Sequence, residues 1–141
     1  MEKKLINGID CLTMGLGALF GKSKDVVYKA IKDWIRLIDI ASAYKNKDLV
    51  GKGIKKVIDE GIVKREDLFI ITKLNIGEEK NDQETPLNKF LERLQLKYID
   101  LYLIHYPLVN KTKERIKKIP LRDTWNKMEK LVESEKVVKL K

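Results

Sequence analysis

The chain has 141 residues, 43% apolar and 36% charged, with a formal net charge of +9. That is enough for one ordinary domain with its own core. Its single cysteine, Cys11, excludes an internal disulfide and a cysteine metal cluster and points to a reducing compartment. Basic and acidic residues alternate along helical stretches, and the lysine-rich block 111–118 contains Glu114 and no aromatic, so the charge does not read as a nucleic-acid surface. A basic balance equally attracts a phosphorylated cofactor.

Residues 5–20 are apolar but broken by glycines, which predicts short strands or a plug-like hairpin followed by a glycine turn. Asn7 and Asp10 interrupt this run, so it is not expected to act as a signal peptide. No other run approaches the ~20 residues that span a bilayer, and the expected location is cytoplasmic, with no membrane partner. Met14-Gly15-Leu16-Gly17-Ala18 reads either as an ordinary turn or as one where backbone approaches a ligand closely. Ser23 and Asp25 offer caps for a first helix whose apolar positions are Val26, Val27, Ala30, Ile31 and Trp34. A strand at 37–40 follows. A second helix from about Asn46 buries Leu49, Val50, Ile54, Val57 and Ile58, with Gly61 as its C-terminal cap. The nearly continuous apolar run 68–72 suits a strand covered on both faces. Thr85-Pro86 opens a third helix, with Leu87, Phe90, Leu91 and Leu94 inward. The next strand is 98–104. After a lysine-rich loop, a fourth helix over 122–133 buries Trp125, Met128, Leu131 and Val132, and residues 137–140 begin another strand. Steady strand–helix alternation predicts an α/β fold with a parallel sheet.

In that architecture ligands meet the carboxyl ends of the strands. Three runs end there in titratable residues: Asp39 with Tyr44 five residues on, Lys73, and His105, the only histidine. A phenol titrates near pH ~10, too weak an acid to protonate a substrate efficiently at neutrality. A nearby ammonium lowers that value, and a carboxylate holds the ammonium charged. A neutral imidazole can donate a hydrogen bond to a carbonyl oxygen. Together these groups suit carbonyl reduction, in which hydride reaches carbon while Tyr44 delivers a proton to oxygen; the hydride must come from a cofactor. Singly each has an ordinary reading, as packing tyrosine, helix-capping aspartate, solvated lysine or structural histidine. Their joint occurrence at three successive strand ends favours a site. One His and one Cys are too few for a metal site.

The residues that carry this chemistry resemble those of the aldo-keto reductases. The matching stretches are Ile38-Asp39-Ile40-Ala41-Ser42-Ala43-Tyr44, Val50-Gly51-Lys52-Gly53-Ile54, 65–74 and 94–107, with Trp125-Asn126-Lys127-Met128-Glu129. The resemblance implies the N-terminal part of an NADP-dependent oxidoreductase over residues 1–141: a truncated (β/α)8 TIM barrel holding roughly the first four to five β/α units. It further implies NADPH-dependent reduction of aldehydes or ketones, with Tyr44 as general acid, Lys73 and Asp39 as its tuning pair and His105 orienting the carbonyl. Asp39 would also meet the nicotinamide ribose, Gly17 would lie on the cofactor side and Tyr106 would line the substrate pocket. Departures from the family pattern are Gly17-Ala18-Leu19 in place of a hydroxyl and an aromatic, Leu37 for a frequent His, and Lys45 and Lys47 for Gly and Glu. A complete barrel of ~250 residues needs about twice this chain, so the NADPH site is expected to be incomplete. Two open sheet edges would then invite self-association. The alternative is a catalytically silent half-barrel that acts only by pairing with another chain.

Overall fold

The computed structural model describes residues 2–4, 10–12, 14–18, 24–41, 46–74, 84–105 and 120–141, with side chains from residue 14 onward. An antiparallel hairpin of β1 (Glu2–Lys4) and β2 (Asp10–Leu12) comes first. It is followed by β3 (Gly15–Gly17), α1 (Lys24–Lys32), β4 (Leu37–Asp39), α2 (Lys47–Asp59) and β5 (Phe69–Leu74). Then come α3 (Glu84–Leu94), β6 (Ile99–Ile104), α4 (Leu121–Glu133) and β7 (Val137–Leu140). Strands β3 to β7 form one sheet in sequential order, every pair parallel. Parallel neighbours need a crossover between them, and each helix here occupies one. The alternation read from the sequence is therefore the alternation found.

The glycine turn expected at 14–18 is instead the strand β3, with Gly15, Leu16 and Gly17 opposite Leu37, Ile38 and Asp39. Glycine suits it because a Cβ at Gly15 would collide with Cδ2 of Leu37. The strand predicted as covered on both faces, β5, alternates: Ile70, Thr72 and Leu74 are buried while Phe69, Ile71 and Lys73 are only partly so. One face packs under the helices in a cluster with Val27, Ile31, Val50, Ile54, Leu87 and Phe90. The other is half open.

Helix α2 interlocks with both neighbours through glycine. A Cβ on Gly53 would stand 2.8 Å from the Lys24 carbonyl oxygen in α1, and one on Gly51 would stand 2.7 Å from the Arg93 carbonyl oxygen in α3. Glycine costs a helix interior up to about 1 kcal/mol relative to alanine, so its presence twice here reflects backbone approach that no side chain permits. Polar clamps reinforce both contacts. The Tyr28 hydroxyl donates to Glu60 at 2.7 Å, which holds the phenol above its ordinary titration range. Arg93 forks onto both oxygens of Asp48 at 3.0 and 2.6 Å, which holds that carboxyl below its ordinary value. The Asp48 pair is about half exposed and so adds little stability.

The α-to-β links turn through left-handed residues: Trp34 (φ 74°), Gly61 (69°), Gln95 (59°) and Glu135 (57°). At α1 the Trp34 N–H bonds the Ile31 carbonyl at 3.1 Å and the Ile35 N–H bonds the Ala30 carbonyl at 2.9 Å. This is the Schellman pattern, in which the left-handed position favours glycine. Gly61 meets that demand as the sequence predicted; Trp34 does not, and with the helix already ended its side chain points out, 83% exposed. Val26 and Val132, also expected inward, are exposed as well. The Arg36 guanidinium lies 5.5 Å from the Trp34 ring, which offsets part of the strain. Trp34→Gly is expected to raise stability by about 1 kcal/mol, read as a higher urea midpoint; an unchanged or lower midpoint would show the stacking to outweigh the backbone strain.

Candidate active site

Asp39 is the last residue of β4, and Lys73 stands next to last in β5. The register pairs Asp39 with Ile71, two residues before Lys73, so both side chains emerge on the half-open face near the carboxyl ends. There the Lys73 Nζ donates to Asp39 Oδ1. The lysine side chain is 13% exposed and the aspartate 38%, so the pair presents its carboxylate edge to solvent and keeps its ammonium sheltered. The ion pair fixes the position of the lysine side chain at the end of the sheet.

His105 immediately follows β6, and its backbone N–H bonds the Leu74 carbonyl at 3.2 Å, tying it to the end of β5 just beyond Lys73. The residue is exposed. Gly17 ends β3 directly opposite Asp39, and a Cβ there would meet none of the described residues within 4 Å. Among the described residues, the end of β3 thus leaves open space beside the aspartate. Asp39, Lys73, His105 and Gly17 accordingly share one end of the sheet, on four consecutive strands. Tyr44 and Tyr106 lie outside the described residues.

Sequence reasoning passed over Asn46. It is buried at 8% exposure, and its Nδ2 donates to the Ala18 carbonyl at 2.5 Å, across 28 residues of chain. Its own carbonyl accepts from Leu49 and Val50 at the start of α2. One side chain therefore pins the start of α2 to the residue that follows β3. Next to it Lys47, also buried, sets its ammonium 4.6 Å from the centre of the Phe90 ring. The only signal in sequence was an asparagine at a helix start, which reads as a simple cap; no side-chain cap bond forms.

The partly exposed Asp39 carboxylate and Gly17 lie side by side at this end of the sheet. Among the described residues no group of three His, Cys, Asp or Glu could hold a metal ion, and no helix is long and apolar enough to cross a membrane.

Comparison with known proteins places the fold. The sequence profile of the Aldo/keto reductase family matches residues 12–139. The NAD(P)H-dependent D-xylose reductase of Scheffersomyces stipitis is 39% identical over 95% of this chain and 49% of its own length. The NADH-dependent D-xylose reductase of Candida parapsilosis is 40% identical over 92% of this chain and 47% of its own. Among solved structures, an aldo-keto reductase of Bombyx mori in complex with NADP superposes with a TM-score of 0.87 at 33% identity, over 99% of this chain and 49% of that one. The chain spans about half the length of the relatives it matches, and its five-stranded sheet corresponds to part of the (β/α)8 barrel.

Proposed function

The chain belongs to the aldo/keto reductase family, and from that premise we propose that its strand-end cluster reduces an aldehyde or ketone to an alcohol with NADPH as the donor. The observation that carries this reading is the Lys73–Asp39 ion pair at the carboxyl end of the sheet. Asp39 anchors the Lys73 ammonium, and in this reading that ammonium would favour the phenolate of Tyr44 and so ease its loss of a proton. Tyr44 then gives its proton to the carbonyl oxygen while the His105 imidazole donates a hydrogen bond that orients the same oxygen. Asp39 would hold a ribose hydroxyl of the nucleotide through its exposed edge, Gly17 would leave room beside it, and Tyr106 would line the carbonyl pocket. When bound, the nucleotide supplies the hydride. The xylose reductases among the relatives make an aldose such as D-xylose the first substrate to offer.

The test uses the purified 141-residue chain with NADPH and an aldehyde. Loss of NADPH absorbance that Tyr44→Phe abolishes supports the reading. If the wild-type chain consumes no NADPH, it does not hold this activity on its own.

A second reading is favoured by one observation. Among the described residues the sheet's outermost strands, β3 and β7, each pair on one side only, and unpaired edges are templates for association. In this reading the chain acts by pairing with another copy of itself.

A further inference from the structure

Asn46 stands at the N-cap of α2, where an asparagine side chain ordinarily bonds a free amide of the first helical turn. Here no side-chain cap bond forms. The Nδ2 group reaches instead to the Ala18 carbonyl at 2.5 Å, 28 residues back in the chain. Both ends of this bond are buried, Asn46 at 8% exposure and Ala18 at 1%.

The two ends differ in how firmly they are held. On one side, α2 is seated against α1 and α3 through Gly53 and Gly51, where a Cβ would stand 2.8 and 2.7 Å from the Lys24 and Arg93 carbonyl oxygens. Its residues Val50, Ile54 and Val57 are fully buried. On the other side, β3 has three residues, two of them glycine, and a glycine brings a strand no side chain to pack. Gly17, the residue before Ala18, lies opposite Asp39 in the register. A donor fixed to α2 therefore sets where the end of β3 lies beside Asp39.

We propose that Asn46 is a positioning residue for nucleotide binding. Its amide holds Ala18, and through it Gly17, so that the end of β3 stays aligned with the Asp39 carboxylate. This role rests on the carbonyl-reduction reading above, in which Asp39 and Gly17 lie on the NADPH side of the site. It also sets Asn46 apart from an ordinary helix cap. Aspartate caps a helix as well as asparagine does, but when ionised it only accepts hydrogen bonds. Asn46→Asp therefore keeps the capacity to cap α2 and loses the tether to Ala18.

The test is fluorescence titration of the purified 141-residue chain with NADPH, alongside aldehyde kinetics and urea unfolding, for the wild type, Asn46→Asp, Asn46→Ala and Asp100→Asn. Asp100 lies near the other end of the sheet, in β6, so its variant reports what lowered stability does by itself. Both Asn46 variants are expected to weaken NADPH binding about tenfold, the scale of one lost hydrogen bond. The KM for NADPH should rise with it while kcat at saturating NADPH stays within about threefold, the split that marks lost binding rather than lost chemistry. Asp100→Asn is expected to lower the urea midpoint and leave NADPH affinity unchanged. The role is overturned if NADPH affinity is unchanged in Asn46→Ala, or if Asn46→Asp binds like the wild type, which would make Asn46 a cap only. It is overturned as well if kcat falls at unchanged affinity, or if Asp100→Asn weakens NADPH as much. Should Asn46→Asp not fold, Asn46→Ala decides against the Asp100→Asn control. A wild-type chain that neither binds nor oxidises NADPH removes the reduction reading and this role with it. A wild-type chain that binds NADPH no better than the Asn46 variants leaves that reading standing and removes only the role.

Discussion

Replacing Asp100 with alanine is expected to destabilise the chain by about 3 kcal/mol, the largest stability loss among the single substitutions considered. Asp100 sits in β6, in the middle of an apolar run, where a carboxylate is out of place by propensity. Its Oδ2 accepts from Arg65 Nη2 at 2.7 Å and from the Ile70 backbone N–H at 2.8 Å. Arg65, on the 3-10 turn Arg65–Asp67 that leads into β5, also donates to the carbonyls of Leu68 at 2.8 Å and Tyr98 at 3.0 Å. Its guanidinium covers the Tyr98 ring at 4.0 Å. Both charged side chains are only 15% exposed. The network stitches the entrance of β5 to the entrance of β6 and so supports the register in which Ile71 lies opposite Leu101. Alanine would strand a mostly buried guanidinium and an N–H together. Asparagine keeps an acceptor for Ile70 and removes only the charge, so its cost should fall clearly below that of alanine. Urea unfolding of both variants measures this. A loss for Asp100→Ala within about 0.5 kcal/mol, the range of ordinary surface changes, would mean that the network contributes nothing net.

The contrast between helices shows what the sequence could and could not reveal. In α3 the spacing of Leu87, Phe90, Leu91 and Leu94 predicts a buried stripe, and all four are buried, because that helix has a sheet beneath it. In α1 and α4 the same spacing rule also drew in Val26, Trp34 and Val132, which are exposed. Periodicity records which residues share a face. It does not record whether anything packs against the margin of that face, and these residues lie on vacant flanks or, for Trp34, beyond the helix end. The pairing of Asp39 with Lys73 was legible for a related reason. A parallel α/β order sends strand ends to one side, so Asp39 and Lys73 could be brought together before any coordinate was known, and their ion pair is found. The Asn46–Ala18 and Arg65–Asp100 contacts join residues 28 and 35 apart. Nothing in local pattern encodes such partners, since they depend on how neighbouring strands are staggered.

Methionine at position 73 is expected to lower kcat/KM for aldehyde reduction by ~10²–10⁴-fold, with little change in stability. The two effects separate because of where the pair sits. Lys73→Met leaves Asp39 unpaired, but its side chain is 38% exposed and water can solvate it, so the loss is about that of a surface pair, under ~1 kcal/mol. For proton transfer the ammonium matters far more. In the proposed mechanism Tyr44 must be protonated to act, so the rate falls as pH rises through the phenol's pKa. In that mechanism the Lys73 ammonium would favour the phenolate, so removing it would make the phenol a weaker acid. The alkaline limb of the pH–rate profile should therefore move to higher pH in Lys73→Met even as the plateau drops, because a weaker acid delivers its proton less readily. Asp39→Asn is expected to shift the limb the same way by a smaller amount, since the ammonium remains but loses its anchor. A lysine that served only to hold β4 against β5 would give the reverse pattern, a lower unfolding midpoint with the limb unmoved. Measuring both quantities on the same two variants separates a group that tunes the proton donor from one that merely braces the sheet.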